Sequence, residues 1–309
     1  MILDILLIVV GVVMVLRGAD HLTEGASALA RRMNIPEIII GLTIVAAGTS
    51  APELFVSMVS ALKGTPDLAV GTVVGSNTMN AMLIVGCAAM VAPMTISRNT
   101  VKKDIPFSVG ASILLMLIAL DTFLSRTDGI ILLLGFAAFM AYTLMQAKQG
   151  QVEQTTEAKQ QNPWLSVFYV VFGLVLLVVG SNIFVDSASG VAASLGISEG
   201  VIGLTVVAGG TSLPELATSV VAARKGQSAI AIGNVIGSNV FNILLILGLT
   251  ATISPLEIEG ITTFDMAVML LSVALVWLFS YTRYTVERWE GLLLVGGYLV
   301  YLGWLIANL

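Results

Sequence analysis

Two glutamates occupy apolar segments in which an ionised carboxylate is hard to accommodate. Glu53 lies in GLTIVAAGTSAPELFVS, residues 41–57, and Glu215 lies in GLTVVAGGTSLPELATS, residues 203–219. The two segments are identical at 12 of 17 positions. A charge at the centre of a membrane helix costs about 2.5 to 3.5 kcal/mol on insertion scales, so each carboxylate must be protonated or neutralised by a partner. Because neither segment contains Lys, Arg or His, a bound cation is the natural counter-charge.

A proline precedes each glutamate and predicts a break in its helix. Pro52 and Pro214 have no amide hydrogen, so the carbonyls four residues earlier, those of Gly48 and Gly210, lose their helical donors. Free carbonyls at membrane depth are tolerated only where they meet a cavity, water or an ion. The sequence therefore predicts broken helices at an ion site.

Small and polar residues at spacings of three and four fall on one face of each predicted helix. In the first copy these are Ala46, Thr49, Ser50, Glu53 and Ser57, and in the second Ala208, Thr211, Ser212, Glu215 and Ser219. A second repeated block, GTVVGSNTMN at 71–80 and GNVIGSNVFN at 233–242, adds Ser76, Asn77 and Asn80, or Ser238, Asn239 and Asn242. Calcium and sodium accept such hard oxygens, whereas zinc and copper favour nitrogen and sulfur donors that are absent here. Close helix packing explains the small and hydroxyl residues equally well, but it does not require a carboxylate.

The composition predicts an all-α integral membrane protein. With 57% hydrophobic and 11% charged residues among 309, the chain has more apolar surface than one soluble core could bury. Ten apolar runs are long enough to cross a bilayer: 2–17, 35–62, 66–92, 104–121, 128–146, 164–182, 197–224, 228–253, 264–281 and 287–307. The first run lacks a basic leader, so we expect a retained helix rather than a removed signal peptide.

The spans divide into two five-helix repeats. Matched motif residues are separated by 162 positions, as Glu53 and Glu215 are. An odd number of spans per repeat turns the second copy upside down, the inverted-repeat architecture in which a substrate site forms near the membrane midplane. The predicted units are a first repeat at 1–146 with its motif at 41–80, a Gln-rich flexible cytoplasmic linker at 147–163, and a second repeat at 164–309 with its motif at 203–242.

The basic residues predict the orientation. If loops alternate sides, one face receives Arg17, Arg31, Arg32, Arg98, Lys102, Lys103, Lys148, Lys159, Arg224, Lys225, Arg283 and Arg288, and the other only Lys63 and Arg126. The positive-inside rule makes the crowded face cytoplasmic. We therefore expect a multi-pass protein of the cell membrane with both termini outside.

The paired GTSxPE and GSNxxN blocks resemble the alpha-1 and alpha-2 repeats of the calcium/cation antiporter superfamily, most closely its prokaryotic sodium/calcium exchangers. The resemblance spans nearly the whole chain. It implies an antiporter that moves calcium against sodium by alternating access, with transported ions and no cofactor. In that family the first and sixth helices form a long tilted pair that slides past the others, and Gly18 and Gly180 are expected near the ends of those helices.

The resemblance also implies specific ligands. The calcium site would use the carboxylates of Glu53 and Glu215 and the backbone carbonyls of Thr49 and Thr211. The sodium sites would share the glutamates and draw on Ala46, Ser50, Ser76, Ala208, Ser212 and Ser238. Some relatives carry Asp where this chain has Asn242, and in the potassium-cotransporting branch that acid is associated with potassium use. Because Asn stands at both 80 and 242, the site keeps two carboxylates, which favours potassium-independent exchange.

Three other functions remain as alternatives. A proton/calcium exchanger is the nearest, because a buried glutamate could itself carry the proton. A passive cation channel with a two-glutamate constriction belongs to a different class. An intramembrane enzyme is disfavoured, since the single histidine, His21, lies far in sequence from every motif serine. The expected partners are calcium, sodium and membrane lipid, with no nucleic acid and no obligate protein partner.

Overall fold

The computed structural model describes residues 2–149, 163–195 and 208–307, and these are almost entirely α-helical. The α-helices are Ile2–Met33, Glu37–Ile40, Ala46–Thr49, Ala51–Leu62, Pro66–Met79, Val85–Val91, Ile105–Ile118, Arg126–Gln149, Pro163–Ser194, Ala208–Thr211, Leu213–Arg224, Ser228–Val240, Gly248–Ile253, Thr263–Tyr281 and Arg288–Ala307. π-Helical turns occupy Gly41–Val45, Asn80–Ile84, Thr100–Asp104 and Phe241–Leu247, and two-residue strands occupy Met94–Thr95, Phe123–Leu124, Leu256–Glu257 and Thr285–Val286.

Within the described residues, seven helices are long and apolar enough to cross a membrane, or eight if one bent pair is a single span. The chain is therefore a multi-pass membrane protein. The run at 104–121 contains the α-helix Ile105–Ile118, which has 14 residues and is not among the candidate spans. The charged residues Lys102, Lys103 and Asp104 lie directly before it. The run at 197–224 is described only from residue 208 onward. Ten spans thus remain a prediction, and most of the 147–163 linker lies outside the described residues.

Two helices of 32 residues each, Ile2–Met33 and Pro163–Ser194, pack together as a long pair. The predicted ends at residues 17 and 182 are therefore wrong. The apolar run stops at polar residues such as Arg17, but no helix-breaking residue follows there. Gly18 and Gly180 consequently lie in the helix interiors rather than near the ends.

The first long helix ends at Asn34, which has a positive φ of 54°. The Asn34 amide donates to the Arg31 carbonyl at 3.2 Å, and the Ile35 amide donates to the Ala30 carbonyl at 3.1 Å. This is the Schellman pattern that satisfies the last helical carbonyls. The helix end is thus set by backbone hydrogen bonding after Met33 rather than by the end of the apolar run.

Glycines bring the backbones of the long pair into contact. Gly11 and Gly18 are seven residues apart, as are Gly173 and Gly180. A Cβ on Gly11 would lie 2.8 Å from the Gly180 carbonyl oxygen, and a Cβ on Gly18 would lie 2.8 Å from that of Gly173. The pairing is antiparallel, and a seven-residue period keeps one face of each helix in contact along its length.

The helices carrying the two glutamates end in the same way. Gly64 and Gly226, separated by 162 residues, have φ values of 75° and 74°. In both, the residue after the glycine donates to a carbonyl five residues earlier, at 2.9 Å from Thr65 and 2.8 Å from Gln227. Glycine is the residue that adopts this left-handed conformation without steric cost. The duplication seen in the sequence therefore extends to the helix termini.

Contacts between loops agree with the predicted alternation of faces. Met94–Thr95 pairs with Thr285–Val286, and both segments belong to loops assigned to the cytoplasmic face. Phe123–Leu124 pairs with Leu256–Glu257, and both belong to loops assigned to the outer face. The pairings group the loops by side, while the identity of the cytoplasmic side stays a prediction.

We expect Gly18→Ala to lower the free energy of unfolding by about 1 to 3 kcal/mol, because the added methyl would overpack the long pair. Its Cβ would lie 2.8 Å from both the Gly173 carbonyl oxygen and the Leu177 amide. The matched control is Gly303→Ala, where no neighbouring atom lies within 4 Å and stability should hold or rise slightly. Thermal unfolding in detergent, followed by circular dichroism, compares the two. Equal melting temperatures would contradict the packing described here.

Candidate cation site

Each glutamate follows a helix break at a serine. Ser50, with φ −81° and ψ 7°, separates Ala46–Thr49 from Ala51–Leu62, and the axis bends by 46° there. Ser212, with φ −89° and ψ 7°, precedes Leu213–Arg224 in the same way. A proline lies in the first turn of the segment after each break, where its missing amide hydrogen costs little. The predicted breaks beside the prolines are present.

The structure buries the polar face that the sequence predicts. Glu53 and Glu215 are both 0% exposed. The other proposed ligands with buried side chains are Ala46, Thr49, Ser50, Ser76, Asn80, Ser212, Ser238 and Asn242. Thr211 is partly buried. Ala208 is the first residue of the short helix Ala208–Thr211, and its side chain is outside the described part of the structure.

Each carboxylate accepts a hydrogen bond from the other repeat. Ser212 Oγ donates to Glu53 Oε1 at 3.1 Å, and Ser50 Oγ donates to Glu215 Oε1 at 3.1 Å. Ser76 Oγ adds a donor to Glu53 Oε1 at 3.3 Å. The crossed serine bonds bring both glutamates to one junction between the repeats.

No basic residue among those described neutralises this pair. The ion pairs between described side chains are Arg31 with Glu37 and Lys225 with Asp20, which involve neither glutamate. The side-chain hydrogen bonds to the two carboxylates from described residues come from serine hydroxyls, which carry no compensating charge.

The asparagines of the second repeated block also bond across the repeats. Asn80 Nδ2 donates to Asn239 Oδ1 at 3.1 Å, and Asn242 Nδ2 donates to Asn77 Oδ1 at 3.0 Å. The two bonds are related by the 162-residue offset. Both engage the NH₂ ends of Asn80 and Asn242 and leave their oxygens free.

Among the proposed ligands in the described part of the chain, five buried oxygens have no hydrogen-bond partner: Glu53 Oε2, Glu215 Oε2, Asn80 Oδ1, Asn242 Oδ1 and Ser238 Oγ. An unsatisfied buried acceptor costs about 1 to 3 kcal/mol, and more when it is charged. The four carboxylate and amide oxygens among them, two from each repeat and all hard donors, fit a calcium or sodium ion. The donor set includes only two carboxylates, and no cluster of three or more His, Cys, Asp or Glu occurs in the described part of the chain.

π-Helical turns coincide with both ligand asparagines. Asn80 begins the turn Asn80–Ile84, and Asn242 lies within Phe241–Leu247. Such turns are rare and occur often at functional sites, because the extra residue changes where side chains point. The sequence reasoning gave no indication of them, since an apolar helix with one inserted residue has no distinctive composition.

Asn234 is a site residue that the sequence reasoning missed. Its Nδ2 donates to the backbone carbonyl of Glu215 at 3.3 Å and to Ser219 Oγ at 3.0 Å, while its Oδ1 accepts from Thr49 Oγ1 at 3.0 Å. The counterpart 162 residues earlier is Thr72, whose hydroxyl bonds only within its own helix, to Leu68 at 2.7 Å. The available signal was this departure from the repeat symmetry.

The candidate span Ser228–Ile253 packs closely against Glu37–Thr49, the helical segment that precedes the break before Glu53. A Cβ on Gly233 would lie 2.9 Å from the Ile38 carbonyl oxygen, and a Cβ on Gly237 would lie 2.8 Å from that of Leu42. A cavity of about 450 Å³ adjoins this contact, since Ile38 and Ala229 line it together with Glu37 and Asp104. Neither motif glutamate is part of its lining.

The fold and the buried carboxylate pair define an all-helical, multi-pass membrane protein built around a polar junction. The sodium/calcium exchanger family model matches residues 3–145 and again residues 165–307. The chain therefore belongs to the sodium/calcium exchanger family, whose members are transporters rather than enzymes.

Individual relatives are similar over nearly their full lengths. The inner membrane protein YrbG of Escherichia coli is 39% identical, covering 99% of this chain and 97% of the relative. The sodium/calcium exchanger MaX1 of Methanosarcina acetivorans is 32% identical, covering 97% of each. A solved structure of the sodium-calcium exchanger NCX_Mj has a TM-score of 0.86 at 32% identity, covering 98% of each chain. NCX_Mj crystals were soaked with sodium, calcium or strontium.

We expect Asn234→Leu to lower the free energy of unfolding by about 1 to 3 kcal/mol, because the buried Thr49 hydroxyl would keep only its longer bond to the Ala46 carbonyl, at 3.4 Å, and the Glu215 carbonyl would lose an additional donor. The matched control is Thr72→Val at the symmetry-related position, where the hydroxyl bonds only its own helix. Thermal unfolding of both variants in detergent provides the comparison. If the two variants melt together, Asn234 does not brace the junction.

Proposed function

We propose that the chain is a secondary active antiporter that exchanges calcium for sodium across the membrane by alternating access. The observation that carries the proposal is the set of four buried carboxylate and amide oxygens without partners among the described residues, contributed in pairs by Glu53, Glu215, Asn80 and Asn242. A protein that neutralised its own carboxylates would have no such need of an ion. Membership of the exchanger family and the printed names of MaX1 and NCX_Mj support the choice of ions.

The proposed architecture has ten transmembrane helices in two inverted five-helix repeats, 1–146 and 164–309, joined by a cytoplasmic linker at 147–163. The matched helix ends, the crossed serine bonds and the crossed asparagine bonds all follow the 162-residue offset and support a two-fold relation between the halves. We place the chain in the cell membrane with both termini outside. YrbG, by name an inner membrane protein, supports the location, and the basic residues support the orientation.

In the proposed calcium site, the carboxylates of Glu53 and Glu215 and the backbone carbonyls of Thr49 and Thr211 coordinate the ion. The amide oxygens of Asn80 and Asn242 are further ligands in this proposed site. The sodium sites share the glutamates and use Ala46, Ser50, Ser76, Ala208, Ser212 and Ser238. Six to eight oxygens suit calcium, and smaller sets drawn from the same atoms suit sodium.

Shared ligands make the two ions compete, and competition produces antiport. With calcium or sodium bound, the two glutamates are neutralised and the loaded protein can change conformation. An empty junction would leave two buried charges uncompensated. The unloaded carrier is then slow to switch sides, so calcium crosses in one direction and sodium in the other, in turn.

We expect Glu53→Gln and Glu215→Gln to abolish measurable calcium binding, because each removes one of the two charges that hold the ion. The matched control is Glu24→Gln, which changes an exposed glutamate on the first long helix and should bind calcium as the wild type does. Radiotracer calcium binding to purified protein, titrated with sodium, measures both effects. Calcium bound with unchanged affinity by both glutamine variants would rule out this site.

We expect exchange to be electrogenic and independent of potassium. If three sodium ions leave for each calcium that enters, one positive charge leaves per cycle, worth about 2.3 kcal/mol per 100 mV. Calcium uptake into sodium-loaded proteoliposomes, in buffers without potassium, should therefore accelerate when outward diffusion of thiocyanate makes the interior positive. Uptake that ignores the imposed potential, or that needs added potassium, contradicts the prediction.

The same vesicles separate this proposal from a proton/calcium exchanger and from a channel. A proton-coupled protein would take up calcium on a pH gradient in sodium-free buffer. A channel would pass calcium down its own gradient without any exchanged ion. The seryl hydroxyls on both glutamates favour sodium, because a site that only carries a proton needs fewer ligands.

A further inference from the structure

Asn77 lies beside the proposed ligands, and every polar group of its side chain bonds to the other repeat. Its Nδ2 donates to the Asn239 backbone carbonyl at 3.2 Å, and its Oδ1 accepts from Asn242 Nδ2 at 3.0 Å. The side chain is 0% exposed. We propose that Asn77 is a positioning residue that fixes the amide of Asn242 with its oxygen facing the cation. This inference rests on the proposed function, since it concerns the same site.

The Asn239 backbone carbonyl fixes one end of the Asn77 amide. A carbonyl oxygen can only accept a hydrogen bond, so the group of Asn77 that faces it must be the NH₂. The opposite end of the Asn77 amide, its oxygen, then faces Asn242. A main-chain atom thus determines the orientation of the Asn77 side chain.

The orientation passes from Asn77 to Asn242. The Asn77 oxygen can only accept, so Asn242 must present its NH₂ there. That NH₂ also donates to Ser76 Oγ at 3.2 Å, which uses both of its hydrogens. Asn242 Oδ1 therefore lies at the end of the amide opposite these two contacts, where it is buried and has no partner among the described residues.

The direction of this amide decides whether position 242 attracts or repels a cation. The two ends of an asparagine amide have nearly the same shape, so packing alone hardly distinguishes them and the hydrogen-bond partners decide. With the oxygen inward, Asn242 offers a hard donor to calcium or sodium. With the NH₂ inward, the same side chain would present partial positive charge to the ion.

The symmetry-related asparagine lacks the same anchor. Asn239 Oδ1 accepts from Asn80 Nδ2 at 3.1 Å, but Asn239 Nδ2 has no hydrogen-bond partner among the residues that the structure describes. The orientation of Asn80 is therefore not traced back to a backbone carbonyl. Asn239 provides a matched control, because it has the same side chain, the same burial and the same repeat position but a weaker orienting role.

The test measures calcium affinity in Asn77→Leu, Asn239→Leu, Asn242→Leu and the double variant Asn77→Leu with Asn242→Leu, by radiotracer binding. Removing an outer-shell partner of a metal ligand typically weakens binding by about 10- to 100-fold. We expect about that loss for Asn77→Leu and a smaller loss for Asn239→Leu. The double variant should bind as Asn242→Leu alone, because Asn77 acts through Asn242.

If the fold-losses in calcium affinity of Asn77→Leu and Asn242→Leu multiply in the double variant, Asn77 acts independently of Asn242, as a merely structural residue would. That result would overturn the inference and leave the exchanger proposal intact. A loss as large for Asn239→Leu as for Asn77→Leu would also overturn it. A wild-type chain that binds no calcium would reject the proposed function itself, and this inference with it.

Asn77→Asp keeps the inference testable if the leucine variant fails to fold. An acid at position 77 still offers an oxygen to Asn242 Nδ2, and in its protonated form it can donate to the Asn239 carbonyl. We expect calcium affinity at or above the wild-type value, in protein whose melting temperature confirms folding. A folded aspartate variant with calcium affinity about 10-fold weaker or worse would contradict the orienting role.

Discussion

The main constraint on this fold is the full burial of two carboxylates that no described basic residue neutralises. Glu53 and Glu215 are held by hydroxyls from Ser50, Ser76 and Ser212, which satisfy one oxygen of each and supply no charge. Burying two like charges in this way is unfavourable unless a cation joins them. The broken helices, the buried asparagines and the close helix packing are all features that hold these two groups at one junction.

The two halves are similar in the ligands and different in what supports them. Serine and asparagine bonds cross between repeats in matched pairs, whereas Asn234 braces Thr49 and the Glu215 carbonyl with no equivalent at Thr72. Asn77 is anchored to a backbone carbonyl, and Asn239 is not. The repeat symmetry is therefore kept in the proposed ligands and lost in the side chains that support them.

Sequence reasoning identified the repeats, the helix breaks and the polar face because each has a local signal: identity at a fixed offset, a proline, and spacing of three and four. It placed the ends of the long pair wrongly because hydropathy stops at Arg17, while the helix continues until Asn34 adopts a positive φ. It missed Asn234, whose sequence signal is a departure from the repeat: Thr72 stands at the matched position, and the partners of Asn234 are seen only in the folded chain. Crossed bonds such as Ser212 to Glu53 depend on tertiary packing between halves and could not be read from either motif alone.

The most direct measurement is anomalous diffraction from crystals of this protein soaked in calcium or strontium, then repeated after a sodium soak. We predict one divalent ion bound by carboxylate oxygens of both Glu53 and Glu215, at about 2.3 to 2.6 Å when the ion is calcium, with the peak lost in sodium. A divalent ion bound only elsewhere, or a peak at the junction that sodium does not displace, would contradict the claim that shared acidic ligands couple the two ions.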